Sequence, residues 1–73
     1  MINEICKLHS KLDFEHELHC TTIVEDYVTI IRKDNILTKV NDHILRIVRP
    51  SGEVCLLNVD YIVTCYTTEV RSW

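Results

Sequence analysis

Two groups of histidine and cysteine residues near the start of the chain are of the types that bind zinc. Cys6 and His9 form a Cys-x-x-His pair, and His16, His19 and Cys20 follow after a six-residue gap. On one continuous helix, Cys6 and His16 would lie about 15 Å apart, which is too far for one tetrahedral site. The alternative is that the cysteines are core thiols while His9 and His19 face solvent. We therefore expect no metal and no other cofactor, with Cys6, His9, His16 and Cys20 as the residues to test if zinc does bind.

A second set of candidate residues is acidic. A catalytic carboxylate needs a cleft that shifts its pKa, and a small domain offers little cleft, so these acids predict no enzyme. A single glycine also rules out a glycine-rich phosphate loop. The carboxylates indicate either a solvated surface or a docking surface for a basic partner, because complementary charge speeds and orients association. The candidate partner-binding residues are Asp13, Glu15, Glu17, Glu25 and Asp26.

The basic residues lie further along the chain and offer a different function. Cations beside aromatic rings bind single-stranded RNA in many small barrels, since every base can stack on a ring. The candidate RNA-binding residues are Arg32, Lys33, Arg46 and Arg49, with Phe14, Tyr27, Tyr61 and Tyr66 as the rings. Strand alternation would place some of these rings in the core instead. The net charge of −3 and the pI near 5.7 favour a basic protein partner over a broad nucleic-acid surface.

Composition predicts one small, mainly β domain. The 73 residues are rich in Ile, Val and Leu and contain no Ala, and β-branched residues favour strands. No apolar run approaches a membrane span, and Glu4 stands where a secretory leader would be basic and then apolar, so we expect a cytoplasmic protein. The four cysteines are then expected to be reduced thiols.

The N-terminal segment carries two patterns. Ile2, Ile5, Leu8 and Leu12 recur at helical spacing and predict an amphipathic helix. From Phe14 onward, apolar and polar residues alternate with a period of two, which is typical of a strand. The helix therefore either ends near Leu12 or continues through residue 18, and the conformation of residues 13–24 stays open.

Short strands separated by turn residues fill the rest of the chain. The predicted strands cover 27–32, 36–40, 44–49, 54–58 and 61–66, with turns at Lys33-Asp34-Asn35, Asn41-Asp42 and Pro50-Ser51-Gly52-Glu53. Several strands are apolar on both faces, as expected for a barrel core or for contact with a partner chain. The prediction is a single domain over 1–73, with a helical segment within 1–18 and a bent five-stranded sheet or barrel of Sm-like or SH3-like type over 20–67.

Two pieces of the sequence resemble the Rof family, small bacterial proteins that inhibit the transcription terminator Rho. One piece is the Gly52-Glu53 turn followed by Leu56, Val59-Asp60 and Ile62, and the other is Glu17-Leu18-x-Cys20. The resemblance implies an Sm-like barrel with an N-terminal helix that occupies the RNA-binding surface of Rho as an acidic competitor. By position, it assigns partner contacts to Glu17 and Asp60.

The expected function is therefore that of a non-enzymatic regulator that binds a basic protein surface, with Rho as the most specific candidate. One alternative is an Sm-like RNA-binding module that uses the basic residues. Another is a phage-type inhibitor of a different host protein, which would be favoured by formation of a homo-oligomer.

Overall fold

A helix, six β-strands and a short 3₁₀-helix make up the described part of the chain, residues 1–23 and 28–70, in the computed structural model. Helix α1 spans Ile2–Ser10, and the 3₁₀-helix Val59–Tyr61 precedes the last strand. The strands are β1 (His16–Thr22), β2 (Val28–Arg32), β3 (Ile36–Lys39), β4 (Ile44–Val48), β5 (Val54–Asn58) and β6 (Ile62–Glu69).

Helix α1 ends at Ser10, which decides between the two N-terminal predictions. The Ser10 hydroxyl donates to the Lys7 carbonyl at 2.6 Å, a local bond that competes with continued helix. Ile2 and Ile5 on one face of the helix are buried, as the helical spacing predicts. The alternating segment that follows is strand β1, so the helix does not continue through residue 18. The nine residues of α1 are too few to cross a bilayer, and no other helix of the described residues is long and apolar enough to do so.

The strands form two antiparallel sheets of three strands each, in the orders β2-β1-β6 and β3-β4-β5. The turn predicted at residues 50–53 joins β4 and β5 into an antiparallel hairpin, and Gly52 adopts φ +92° in this turn, where a side chain would be strained. The strand after the hairpin, β6, does not continue the same sheet. It passes through the 3₁₀-helix and pairs with β1 in the other sheet.

The predicted turn at residues 33–35 is a corner between the two sheets rather than a hairpin. β2 and β3 flank this turn but lie in different sheets. Asn35 is buried at 4% exposure, and its Oδ1 accepts hydrogen bonds from the Arg32 backbone N–H at 2.9 Å and from Arg49 Nη1 at 3.2 Å. An asparagine that satisfies backbone and arginine donors at once explains why the chain turns here without a glycine.

One buried apolar cluster lies between the helix and the two sheets. It contains Ile2, Ile5, Leu12, Leu18, Cys20, Ile31, Leu45, Ile47, Leu57 and Val59. On β4, Leu45 and Ile47 are fully buried and Arg46 between them is exposed, which is the period-two alternation expected of a strand. The predicted class, mainly β with an N-terminal helix, is confirmed, although the described strands number six rather than five. Closure into an Sm-like barrel stays a prediction.

Candidate functional site

The first candidate site is an exposed surface that we call the acidic end. It consists of the carboxylates of Asp13, Glu15 and Glu69 and the ring of Phe14, which is 75% exposed. The loop before β1 supplies Asp13, Phe14 and Glu15, and the end of β6 supplies Glu69. The Val70 N–H donates to the Glu15 carbonyl at 2.8 Å and holds the two segments together. Phe14, Glu15, Glu69 and Val70 line a shallow depression of about 350 Å³.

A hydrogen bond with His16 favours the ionised form of the Asp13 carboxylate. His16 Nδ1 lies 2.7 Å from Asp13 Oδ1, and the Glu15 N–H also donates to this oxygen at 2.9 Å. The His16 bond, aided by the Glu15 N–H, lowers the pKa of Asp13 below its ordinary value of 3.8. The same bond raises the pKa of His16 above 6.5. Asp13 therefore remains ionised at neutral pH and contributes negative charge to the acidic end.

A lysine lies over the aromatic ring at the border of the acidic end. Lys33 Nζ is 5.7 Å from the centroid of the Phe14 ring and donates to the Leu12 carbonyl at 3.1 Å. A cation over an aromatic face is attracted by the negative potential of the ring. Lys33 was a candidate RNA-binding residue, and here it contacts the loop that carries the acids.

Glu17 does not lie on the exposed acidic surface where the sequence placed it. Its side chain is only 10% exposed, because strands β2 and β6 flank it with Arg32 on one side and Thr68 on the other. Glu17 Oε1 lies 2.8 Å from His19 Nε2, and Oε2 lies 3.2 Å from Arg32 Nε. The Oε2 contact is an ion pair without the alignment of a hydrogen bond. The expectation of a solvated Glu17 was wrong, since cross-strand neighbours cover it.

The Glu17 cluster, which we define as Glu17, His19, Arg32 and Tyr66, is the second polar constellation of the structure. The rings of His19 and Tyr66 face each other across the β1–β6 ladder, with centroids 5.5 Å apart and planes tilted by 39°. The cluster lines a cleft of about 250 Å³ together with Thr68 and the end of β6. Tyr66 was a candidate for base stacking, and one side of its ring is occupied by His19.

The candidate RNA-binding cations lie in several environments. Arg32 is in the Glu17 cluster, and Arg46 is exposed on the outer face of β4. Arg49 Nη1 donates to the Ile30 carbonyl at 2.9 Å and to Asn35, while its Nε contacts Glu53 at 2.8 Å. Arg49 therefore ties the β4–β5 hairpin to strand β2 of the other sheet. Arg32 and Arg49 both line a depression of about 590 Å³ between these elements.

The remaining candidate residues lie either at the 3₁₀-helix or outside the described residues. Tyr61 is 49% exposed at the end of the 3₁₀-helix, and Asp60 beside it contacts His43 Nδ1 at 2.7 Å. Glu25, Asp26 and Tyr27 lie outside the described residues.

The zinc candidates are held by different partners. His9 Nε2 contacts the Arg32 carbonyl at 2.9 Å, His16 contacts Asp13, and Cys20 lies against Cys65. Within residues 1–23 and 28–70, no three His, Cys, Asp or Glu side chains come together in a way that could hold a metal ion.

Glu69 and Cys65 are residues of interest that the sequence did not single out. Glu69 joins the acidic end only because β6 pairs with β1 in a register that sets it opposite His16. β1 lies near the start of the chain and β6 near its end, so no local sequence pattern predicts that they pair.

Comparison of this chain with protein-family models, with curated proteins and with solved structures finds no match.

Proposed function

We propose that this protein is a non-enzymatic regulator that binds a basic protein surface, with the transcription terminator Rho as the most specific candidate partner. The observation that carries this proposal is the exposed Phe14 ring among the carboxylates of Asp13, Glu15 and Glu69. An aromatic side chain supplies apolar contact area, while surrounding charges orient a partner of opposite sign. The resemblance to the Rof family supports Rho as the partner.

The chemistry of the acidic end fits lysine or arginine side chains. Lys33 already lies on the Phe14 ring at 5.7 Å, so this ring is placed where it attracts a cation. Arginine or lysine of a partner would contact the Glu15 and Glu69 carboxylates, which make no ion pair with any residue in the described ranges. Binding at basic residues that otherwise hold RNA would make the protein a competitor of RNA.

Glu17 takes no direct part in this proposal, although the resemblance assigned it a partner contact. A carboxylate that is 10% exposed and already faces Arg32 and His19 is not available to a partner. A substitution of Glu17 would report on folding rather than on binding.

The test is binding to purified Rho together with a Rho-dependent termination assay. The Glu15→Lys/Glu69→Lys variant should lose at least about tenfold in affinity, which corresponds to 1.4 kcal/mol. The control Glu4→Lys/Asp42→Lys changes the net charge equally at exposed acids outside the acidic end and should bind like the unchanged protein. Raised salt should weaken binding through screening.

Three outcomes would count against the proposal. Unaltered termination at excess protein would reject Rho as the target. Equal loss of affinity in the two charge-reversal variants would show a response to net charge rather than to the acidic end. Full binding by Phe14→Ala, with the acids intact, would show that the Phe14 ring is not part of the interface.

A second candidate function is RNA binding along the depression shared by Arg32 and Arg49. Arg49 has most of its donors committed to Ile30, Asn35 and Glu53. Arg32 is paired with Glu17 through Nε, but its side chain is 58% exposed, so its remaining donors are accessible from this depression. Saturable binding of single-stranded RNA that is lost in Arg32→Gln and retained in Glu15→Lys/Glu69→Lys would favour this function over the first.

A further inference from the structure

Cys20 and Cys65 lie directly opposite each other on neighbouring strands. They are paired residues in the β1–β6 ladder, and their Sγ atoms are 2.8 Å apart. Cys20 is fully buried, whereas Cys65 is half-buried. Both are thiols in this structure.

The geometry needs little change to accommodate a covalent bond. A disulfide has a sulfur–sulfur distance of about 2.05 Å and joins residues whose Cα atoms are about 4.4–6.8 Å apart. Directly opposed residues of an antiparallel pair lie within that Cα range. We propose that Cys20 and Cys65 form a site of reversible disulfide modification, with a small-molecule disulfide such as oxidised glutathione as the oxidant.

The reaction is two successive thiol–disulfide exchanges. The Cys65 thiolate attacks one sulfur of oxidised glutathione, so that a mixed disulfide forms on Cys65 and one glutathione thiolate leaves. Cys20 then loses its proton and attacks the Cys65 sulfur, which releases the second glutathione thiolate. The protein loses two thiol protons and two electrons, and one oxidised glutathione becomes two glutathione thiols.

Exposure sets the order of these steps. Cys65 is the thiol that a molecule from solvent can reach, while Cys20 has no exposed surface. Burial, together with the contact to Cys65, raises the pKa of Cys20, so this residue stays protonated while Cys65 reacts first. Cys20 acts as the resolving thiol because it is already in contact with Cys65.

The other two cysteines provide internal controls. Cys6 lies in helix α1, and Cys55 on β5 is paired with Ile47 rather than with a cysteine. Both are half-buried, like Cys65, but neither has a cysteine opposite it. Selective joining of Cys20 to Cys65 would therefore reflect the ladder and not general thiol exposure.

The bond would attach an edge strand to the rest of the sheet. Among the strands of residues 1–23 and 28–70, β6 pairs with β1 alone, and its end carries Glu69 of the acidic end. A cross-link between the two strands restricts the unfolded chain and should raise the urea midpoint of the oxidised protein above that of the reduced protein.

The test uses the full native chain incubated in glutathione buffers of increasing oxidised fraction, followed by alkylation under denaturing conditions and mass spectrometry. We expect a species with two alkylated and two joined cysteines, and a peptide map that connects Cys20 to Cys65.

Cys65→Ser should abolish the species and Cys55→Ser should retain it. A stable glutathione adduct on Cys65, a bond to Cys6 or Cys55, or four alkylated thiols in fully oxidised buffer would each overturn the proposal. The native-chain map decides the matter even if a variant fails to fold.

Discussion

Glu17 and Arg32 are paired residues of the β1–β2 ladder, and Glu17 Oε2 lies 3.2 Å from Arg32 Nε. The carboxylate is 10% exposed and the guanidinium side chain is 58% exposed. The pair therefore joins a nearly buried acid to a cation that is still in water. Loss of this pair should mainly destabilise the Glu17 carboxylate, which would keep His19 as its one ionic partner within the described ranges.

The first prediction concerns this pair. Arg32→Gln should lower the free energy of unfolding by about 1–3 kcal/mol, because it leaves a buried carboxylate poorly satisfied. Glu17→Gln/Arg32→Gln should recover part of that loss, since the uncompensated charge is then gone. Urea unfolding of Arg32→Gln, Glu17→Gln and the double variant gives the coupling energy between the two side chains.

The matched control for this pair is Arg46→Gln, at an exposed arginine on β4 that makes no ion pair with a residue of the described ranges. A surface change of this kind should stay within about 0.5 kcal/mol. If Arg32→Gln is as neutral as Arg46→Gln, the Glu17 carboxylate does not depend on its partner.

The sequence predicted the local features of this fold because local rules determine them. The spacing of Ile2 and Ile5 predicted the helix, and the apolar run of β4 between turn residues predicted a strand. That run is apolar on both faces, so the sequence did not show which face of β4 is buried. The turn at Gly52 followed from its freedom to take a positive φ. Each of these features depends on residues only a few positions apart.

Long-range pairing could not be predicted in the same way. β6 leaves the hairpin that precedes it and pairs with β1, which places Glu69 in the acidic end and Cys65 beside Cys20. If residues 13–24 form a strand, alternation sets Glu17 on the face opposite Leu18, but it carries no information that Arg32 covers that position. Exposure of a polar residue depends on its cross-strand neighbours, and those are known only once the register is known.

The second prediction concerns Arg49, which connects the β4–β5 hairpin to β2. Arg49→Ala removes donors to the Ile30 carbonyl and to Asn35 Oδ1 and should lower the free energy of unfolding by about 1.5–3 kcal/mol. Arg49→Lys should recover little, because an ammonium cannot present a planar fork to several acceptors. Urea unfolding measures both effects. A Lys variant as stable as the native chain would show that only the charge matters.

The third prediction uses two neighbouring leucines on β5. Leu57 is 3% exposed in the core and Leu56 is 63% exposed on the outer face of the sheet. Leu57→Ala should cost about 2–5 kcal/mol through lost burial and a residual cavity. Leu56→Ala should cost less than about 1 kcal/mol, since little apolar area returns to water. Equal losses in thermal or urea unfolding would contradict the assigned faces of β5.

The last prediction is a pH dependence from the Asp13–His16 bond of 2.7 Å. The raised pKa of His16 means that its contribution to stability is fully present below 6.5 and is lost as pH rises through the raised value. The lowered pKa of Asp13 means that its contribution is present above 3.8 and is lost as pH falls through the lowered value. The bond therefore stabilises the fold fully between these two ordinary values.

The measurement for this bond is an NMR titration of the His16 ring in the native chain and in Asp13→Asn. Removal of the Asp13 charge should lower the pKa of His16 toward 6.5, although nearby Glu69 and Glu15 still favour the protonated ring. Asp42→Asn, at an exposed acid that contacts Lys39 instead, is the control and should leave the His16 titration unchanged. If the pKa of His16 is the same in all three proteins, the bond does not persist in solution, and Asp13 is then an ionised carboxylate of the acidic end without the His16 contact.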